Sequence, residues 1–265
     1  MKGTFYLAKV SFEKSIKELK RYKFETLSMV FSFYLLFIAM FLGVNGFGKS
    51  LGVEQSNMSG TLEGFVAGYF LWTVMVVAFF EITNSVISDA NKGTLEQISM
   101  SNMGVHKVLI VRSIVNLILN ILLCSIVLVS IMYTTGYWLN MHVLDVIVII
   151  LLGIFSMLGI SLMFAGLALI HKRVQSFLNI IQYFIIAFVL PANGFFGEMG
   201  KTLIPFRPSI EKFYEITLGN KSLLDFPITD YLLIVVNSAV YFSLGLLVFN
   251  ICSKKAKKKG LLGQY

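Results

Sequence analysis

The run VIVIILLGIFSMLGISLMFAGLALI, residues 146–170, contains no Asp, Glu, Lys or Arg. A bilayer hydrocarbon core of ~30 Å takes about 20 helical residues, so this run is long enough to cross a membrane. Five other charge-free runs accompany it, at residues 26–48, 64–80, 113–144, 174–197 and 231–253. The shortest run, 64–80, reaches spanning length when its neighbours are included. The sequence therefore predicts six membrane-spanning helices.

The composition also indicates a membrane protein. Of 265 residues, 57% are hydrophobic and only 14% are charged, whereas soluble domains carry about 25% charged residues. We expect an all-α membrane protein whose single transmembrane domain covers residues 26–253. Its spans are predicted at about 26–48, 62–86, 108–136, 143–170, 175–196 and 229–253.

Lys and Arg are enriched in every second connection. Basic segments near span ends are retained in the cytoplasm, and an inside N-terminus places most basic residues there, including KKAKKKG at 254–260. We therefore expect both termini in the cytoplasm, with a basic tail over residues 254–265. The net charge of +8 then indicates contact with anionic membrane lipids, and no nucleic-acid partner is expected.

Residues 1–25 carry many charges but repeat an apolar residue every three or four positions. This spacing predicts an amphipathic helix that lies in the inner membrane interface. The alternative is that residues 1–25 form a charged, solvated segment that does not lie in the membrane interface. The apolar face of the interface helix is formed by Phe5, Phe12, Ile16 and Leu19.

The inner connection SDANKGTLEQISMSNMG, residues 88–104, is polar and prone to turns. Thr94 and Gln97 have the spacing of a capping box, in which each side chain satisfies a backbone amide at the start of a helix. We therefore predict a short cytoplasmic helix over residues 94–103, ended by Gly104. Its apolar edge is expected to hold Leu95, Ile98 and Met100 or Met103.

The segment between spans five and six is long and rich in apolar residues. Exposure of those apolar residues to water would be unfavourable. Short helices over 192–228 are therefore expected to dip into the outer membrane face and pack on the spans. Their backbone polar groups must then be buried within the protein.

The sequence contains none of the common catalytic motifs. It has no H-E-x-x-H, no G-x-S-x-G and no nucleotide-binding P-loop. The three histidines are predicted at separate span ends, so no metal site and no catalytic residue is expected. Any ATP must be bound by another polypeptide.

Polar residues inside the predicted spans are few. Glu81, Asp145 and Asp230 are predicted near span ends, where hydration is expected, although intramembrane charges also mark functional sites. The neutral residues could bond between helices or line a substrate path. They are Asn116, Asn120, Asn179, Gln182 and Asn237.

The stretch SDANKGTLEQISMSNMGVHKVLIVR, residues 88–112, resembles the signature of type-2 permeases of ATP-binding-cassette (ABC) exporters. In that family a polar turn, K-G-T-L-E-Q and a short helix precede span three. LPANGFFGEM (190–199) and LIPFRPSIEKFYEI (203–216) are similar to the family's P-x-x-G-x-F-F element and the prolines that follow it. With the six-span plan, the resemblance covers nearly the whole chain.

The resemblance implies a permease subunit in a bacterial plasma membrane, with no enzymatic activity of its own. Two cytoplasmic ABC ATPase subunits would hold ATP and Mg, and the permease would pair with a second copy or a related permease. Residues 94–103 would be the coupling helix and residues 1–25 the connecting helix. The ATPase-coupling residues would be Lys92, Gly93, Thr94, Leu95, Glu96, Gln97, Ile98 and Met100.

The resemblance further implies an outer gate after span five. Its residues would be Pro191, Gly194, Phe195, Phe196, Pro205 and Phe206. An apolar, aromatic-rich chain suits an amphipathic cargo, namely a drug, an antimicrobial peptide or a lipid. The alternatives are a carrier or channel that works without ATP, and a membrane scaffold without transport.

Overall fold

The structure is a computed structural model that describes residues 2–50, 55–100, 104–140, 142–171, 174–189 and 202–259. Every regular element in these ranges is helical and none is a strand, which confirms the predicted all-α class. The helices are α1 (Lys2–Arg21), α2 (Lys23–Ser50), α3 (Gln55–Asn91), α4 (Leu95–Ser99), α5 (Val105–Thr135), α6 (Val143–Ile170), α7 (Gln175–Val189), α8 (Arg207–Thr217) and α9 (Ile228–Lys258), with a 3₁₀ turn at Leu223–Asp225.

Five of these helices are long and apolar enough to cross a membrane. They are Lys23–Val44 within α2, Leu62–Asn91 within α3, and the whole of α5, α6 and α9. The chain is therefore a multi-pass helical membrane protein. The described residues contain five candidate spans, whereas the sequence predicted six. For the span predicted at 175–196 the structure describes only the 15 residues of α7, and the remainder lies outside the described residues.

Helix α3 forms the centre of the bundle, between α5 and α6. In the most apolar stretch of α3, 83% of the residues are buried. In the most apolar stretch of α2, 11% are buried. The large side chains Leu71, Met75 and Phe79 of α3 are almost inaccessible. Because the described residues bury little of α2, much of its surface is left for lipid or for another subunit.

Glycines allow α6 and α9 to meet backbone against backbone. A Cβ atom added to Gly159 would overlap the backbone of Tyr241, and one added to Gly245 would overlap the carbonyl group of Gly159. Small residues permit this approach, which drives association of membrane helices through close packing. The α6–α9 pair is the most extensive helix contact among the described residues.

Asn237 of α9 holds the segment before α8 inside the protein. Its Oδ1 atom accepts from the backbone N–H of Phe206 at 3.2 Å, and its Nδ2 atom donates to the carbonyls of Thr202 at 2.8 Å and Ile204 at 3.1 Å. Irregular backbone at membrane depth needs such partners. The sequence predicted that Asn237 bonds between helices or lines a substrate path. The structure shows it bonded to the segment before α8.

An ion cluster joins α8 to the start of α9. Lys212 lies 2.8 Å from both Glu215 and Asp230, and Lys221 lies 2.7 Å from Glu215. Burial alone would lower the pKa of Lys212, but its bonds to Asp230 and Glu215 outweigh burial and raise that pKa. Burial would raise the pKa of Glu215, but bonds from Lys212 and Lys221 lower it. The cluster therefore loses stability only when acid protonates Glu215 or alkali deprotonates Lys212.

Helix α1 packs one side against α5. Ser11 is buried on that side, and Ile16 and Leu19 are half-buried. Phe5 and Phe12 are exposed. The apolar stripe predicted from the sequence is therefore divided between contact with the bundle and a free aromatic surface.

Candidate functional site

The connection between α3 and α5 folds back on the end of α3. Gly93 has a φ of +68°, which glycine adopts without strain. The backbone N–H of Thr94 donates to the Asp89 carbonyl at 2.9 Å, and the Thr94 hydroxyl donates to Asp89 Oδ1 at 3.2 Å. The capping box of Thr94 with Gln97 stays a prediction. In the structure the Thr94 hydroxyl reaches back to α3, and this bond fixes the start of α4.

A buried ion pair ties the same carboxylate to α5. Arg112 Nη1 donates to Asp89 Oδ1 at 3.4 Å, while Nη2 donates to Asp89 Oδ2 and to the Ser85 hydroxyl. The Asp89 and Arg112 side chains are 9% and 15% exposed. This exposure is low enough that each charge depends on the other for stabilisation. Asp89 therefore links the end of α3, the α4 turn and the start of α5.

The structure separates the predicted ATPase-coupling residues into buried and exposed ones. Leu95 is 1% exposed and lies in the core, contrary to its expected place on the docking surface. Helix α4 is a single turn whose start is fixed by the bond from Thr94 to Asp89. Its first apolar side chain, Leu95, therefore points into the bundle. Met100 is 78% exposed, and the exposed residues beside it are Lys92, Gly93 and Gln97, with Ile98 half-buried.

The described helix α4 is also shorter than the predicted one. It covers Leu95–Ser99, whereas the prediction covered 94–103. The side chain of Glu96 and residues 101–103, including Met103, lie outside the described part of the chain.

Of the predicted outer gate, the structure describes only Pro205 and Phe206. Both are buried, Phe206 against the Asn237 amide and close to Gly153. The other four gate residues, Pro191, Gly194, Phe195 and Phe196, lie outside the described ranges.

A polar row runs up the contact between α3 and α5. The Glu81 carboxylate accepts from Asn116 Nδ2 at 2.9 Å and from Asn120 Nδ2 at 3.1 Å. The Ser15 hydroxyl of α1 donates to Asn116 Oδ1 at 2.5 Å. Three helices therefore meet at this carboxylate. The asparagines bond between helices, which was one of their two predicted roles.

Helix α3 extends farther beyond Glu81 than the sequence predicted. The prediction ended span two near residue 86, which put Glu81 close to the inner end. Helix α3 continues to Asn91, so Glu81 lies ten residues, or ~15 Å, from that end. The prediction gave Glu81 water as its partner, and the structure adds two amide partners.

Ser161 of α6 enters the hydrogen-bond ladder of α3 next to Glu81. Its Oγ atom accepts from the backbone N–H of Ile82 at 3.1 Å and of Thr83 at 3.2 Å, and Thr83 Oγ1 donates to the Ser161 carbonyl at 2.9 Å. Helices bend where a side chain inserts into the ladder. The segment of α3 that follows Thr83 contains Asp89 and leads into α4. It therefore begins at a position where α3 can bend.

A cavity of about 570 Å³ opens beside the polar row. It lies among α1, α2, α3 and α5, with one residue from α7. Its polar wall includes Glu81, Asp89, Arg112 and Asn116, and its apolar wall includes Phe33 and Phe80. A space of this size accommodates a small organic molecule.

Within the described ranges, no group of three or more His, Cys, Asp or Glu residues could hold a metal ion. The polar row consists of the Glu81 carboxylate, amides, hydroxyls and the Asp89–Arg112 ion pair, which are groups suited to binding and positioning.

No protein-family model matches the sequence, and a comparison with curated proteins finds no match either. The likeness to ABC exporter permeases therefore depends on the motifs at 88–112, 190–199 and 203–216.

Proposed function

We propose that this chain is the transmembrane subunit of an ABC exporter in a bacterial plasma membrane. It would couple ATP hydrolysis on a separate ATPase to export of an amphipathic cargo. The observation that carries the proposal is the attachment of α4, whose turn is bonded to Asp89 of α3, which in turn is paired with Arg112 of α5.

This attachment would let α4 act as a rigid coupling element, here called the lever. A flexible loop absorbs displacement, whereas a short helix fixed to two spans passes displacement to both. Leu95 supports α4 from the core, and Met100 offers a large exposed apolar side chain at its end. We assign Met100, Gln97 and Ile98 to the ATPase contact and Leu95 to anchoring the lever.

Displacement of α4 would be transmitted through α3. The segment from Glu81 to Asn91 would move about the point where Ser161 enters the ladder. That movement would change the cavity, because Glu81 and Asp89 belong to its wall.

The assembly would contain two copies of the ATPase, which hold ATP and Mg, and two permeases. The thinly covered helix α2 is the surface that we assign to the second permease, since it packs little within its own chain. The exposed aromatic residues of α1 would contact lipid at the cytoplasmic side, where both termini would lie.

A carrier that works without ATP is the second candidate. It is favoured by Glu81, since a carboxylate within a span marks transport sites in many membrane proteins. Such a carrier would need no partner at α4.

Affinity purification of the tagged full-length chain from its own membranes separates the two. We expect a P-loop ATPase in equal molar amount and vanadate-sensitive ATP hydrolysis by the purified complex. Recovery of the chain without any nucleotide-binding partner, together with ATP-independent uptake by reconstituted vesicles, would contradict the exporter and support the carrier.

A further inference from the structure

Glu81 differs from Asp89 and Glu18 of the cavity wall in its partners, and from the exposed Glu25 in being half-buried. Asp89 is paired with Arg112, and Glu18 lies 3.6 Å from Lys14. Glu81 is hydrogen-bonded by the neutral amides of Asn116 and Asn120, and Arg112, whose charge also acts on Glu81, is itself paired with Asp89. Amides orient a carboxylate and leave its charge in place.

The charge of the cavity is correspondingly unbalanced. Its lining holds four carboxylates and three basic side chains, and Arg112 and Lys14 already face acids of their own. A partly buried carboxylate in a spanning helix is costly unless a cation accompanies it. The remaining acid, Glu25, and the remaining base, Lys92, are both exposed. Glu81 is thus the half-buried acid of this lining without an ion pair among the described residues, and a bound cation would supply one.

The walls around Glu81 indicate what carries that charge. Phe33 and Phe80 line the cavity with Val76 and Val77, and aromatic faces attract organic cations. A divalent metal needs several oxygen ligands, whereas among the described residues no group of three or more His, Cys, Asp or Glu could hold one. A cation with an apolar body satisfies both the charge and the walls.

We propose that this cavity binds the cationic group of an amphiphile, with Glu81 as its counter-ion and the Phe33–Phe80 wall against its apolar body. The site identifies the class of cargo only if the proposed exporter function holds. Binding itself requires no ATPase.

The test is equilibrium binding of tritiated tetraphenylphosphonium, a lipophilic cation, to the full-length chain in phosphatidylglycerol nanodiscs, with empty nanodiscs subtracted. We expect saturable binding that weakens at least about tenfold in Glu81→Gln, because loss of a charge partner in a low-dielectric site removes much of the attraction. Glu63→Gln, the same change on the same helix outside the cavity lining, should bind as the unsubstituted chain does.

Asn84→Trp gives a second test that leaves all charges unchanged. Asn84 is exposed and lines the cavity, so an indole there should fill the space without disturbing the core and reduce binding by a similar factor. Equal affinity in Glu81→Gln and the unsubstituted chain, or no saturable binding at all, would overturn the site and leave Glu81 as a packing group.

A further arm identifies the source of the cation. Phosphatidylethanolamine added to the nanodiscs should compete if lipid ammonium groups occupy the site, and should have no effect if the ligand is a free amphiphile. Both results support the site. A chain that binds the cation but recruits no ATPase contradicts the exporter function alone, and the reverse result contradicts the cation site alone.

Discussion

Gly159→Ala is expected to destabilise the folded protein, although alanine is the better helix former. The added methyl group would overlap the backbone of Tyr241, which no rotamer change can relieve. Overpacking of this kind costs about 1–3 kcal/mol, and a leucine at the same position should prevent recovery of monodisperse protein. Thermal unfolding in detergent, followed by fluorescence-detected size exclusion, measures the effect.

Gly43→Ala is the matched control. Gly43 also lies in a spanning helix, but a Cβ atom there meets nothing within 4 Å. Alanine at this position should be neutral or stabilising by up to about 1 kcal/mol, because it favours the helix over glycine. Equal unfolding temperatures for Gly159→Ala and Gly43→Ala would show that α6 and α9 do not meet through their backbones.

Arg112→Gln is expected to release α4 from the bundle. The substitution leaves the Asp89 carboxylate buried without its cation, a change that costs about 3–5 kcal/mol in buried pairs. Asp89 is also the acceptor for the Thr94 amide and hydroxyl. Hydrogen exchange at residues 93–98 should therefore accelerate, and the protein should unfold at a lower temperature.

Lys107→Gln removes a positive charge from the same helix without touching the pair. Lys107 is exposed, so its loss should change neither exchange nor unfolding temperature. The double variant Asp89→Asn with Arg112→Gln should regain part of the lost stability, since no unpaired charge remains. Unchanged exchange at residues 93–98 in Arg112→Gln would mean that the Asp89–Arg112 pair does not hold α4.

The sequence was sufficient to predict the helical class. A helix that spans the hydrocarbon core needs about 20 apolar residues, and such helices are visible in the sequence as charge-free runs. The sequence could not place helix ends well, because polar residues continue a helix when the fold gives them partners. Asp89 lies beyond the predicted end at residue 86, and Arg112 gives its carboxylate a partner there. The contact of Gly159 with Gly245 was also missed, since their pairing depends on the register of two helices distant in sequence.

The candidate site was only partly predictable for the same reason. The motif at residues 92–97 directed attention to the α4 turn, but it did not show that Leu95 faces the core. The polar row left a readable signal in the four-residue spacing of Glu81, Ser85 and Asp89, matched by that of Arg112, Asn116 and Asn120. Four residues return a side chain to the same helix face, so the two sets indicated facing polar stripes on α3 and α5.

Site-specific photo-crosslinking from Met100 asks whether α4 docks on an ATPase. A benzophenone residue introduced at Met100 lies at the exposed end of α4. One at Leu224, in the connection between α8 and α9, is more exposed still. In native membranes we expect the Met100 probe to capture a P-loop ATPase subunit and the Leu224 probe to capture none. Two results would contradict docking of α4 on the ATPase. One is capture of the ATPase by the Leu224 probe. The other is failure of the Met100 probe to capture it although the ATPase co-purifies with the chain.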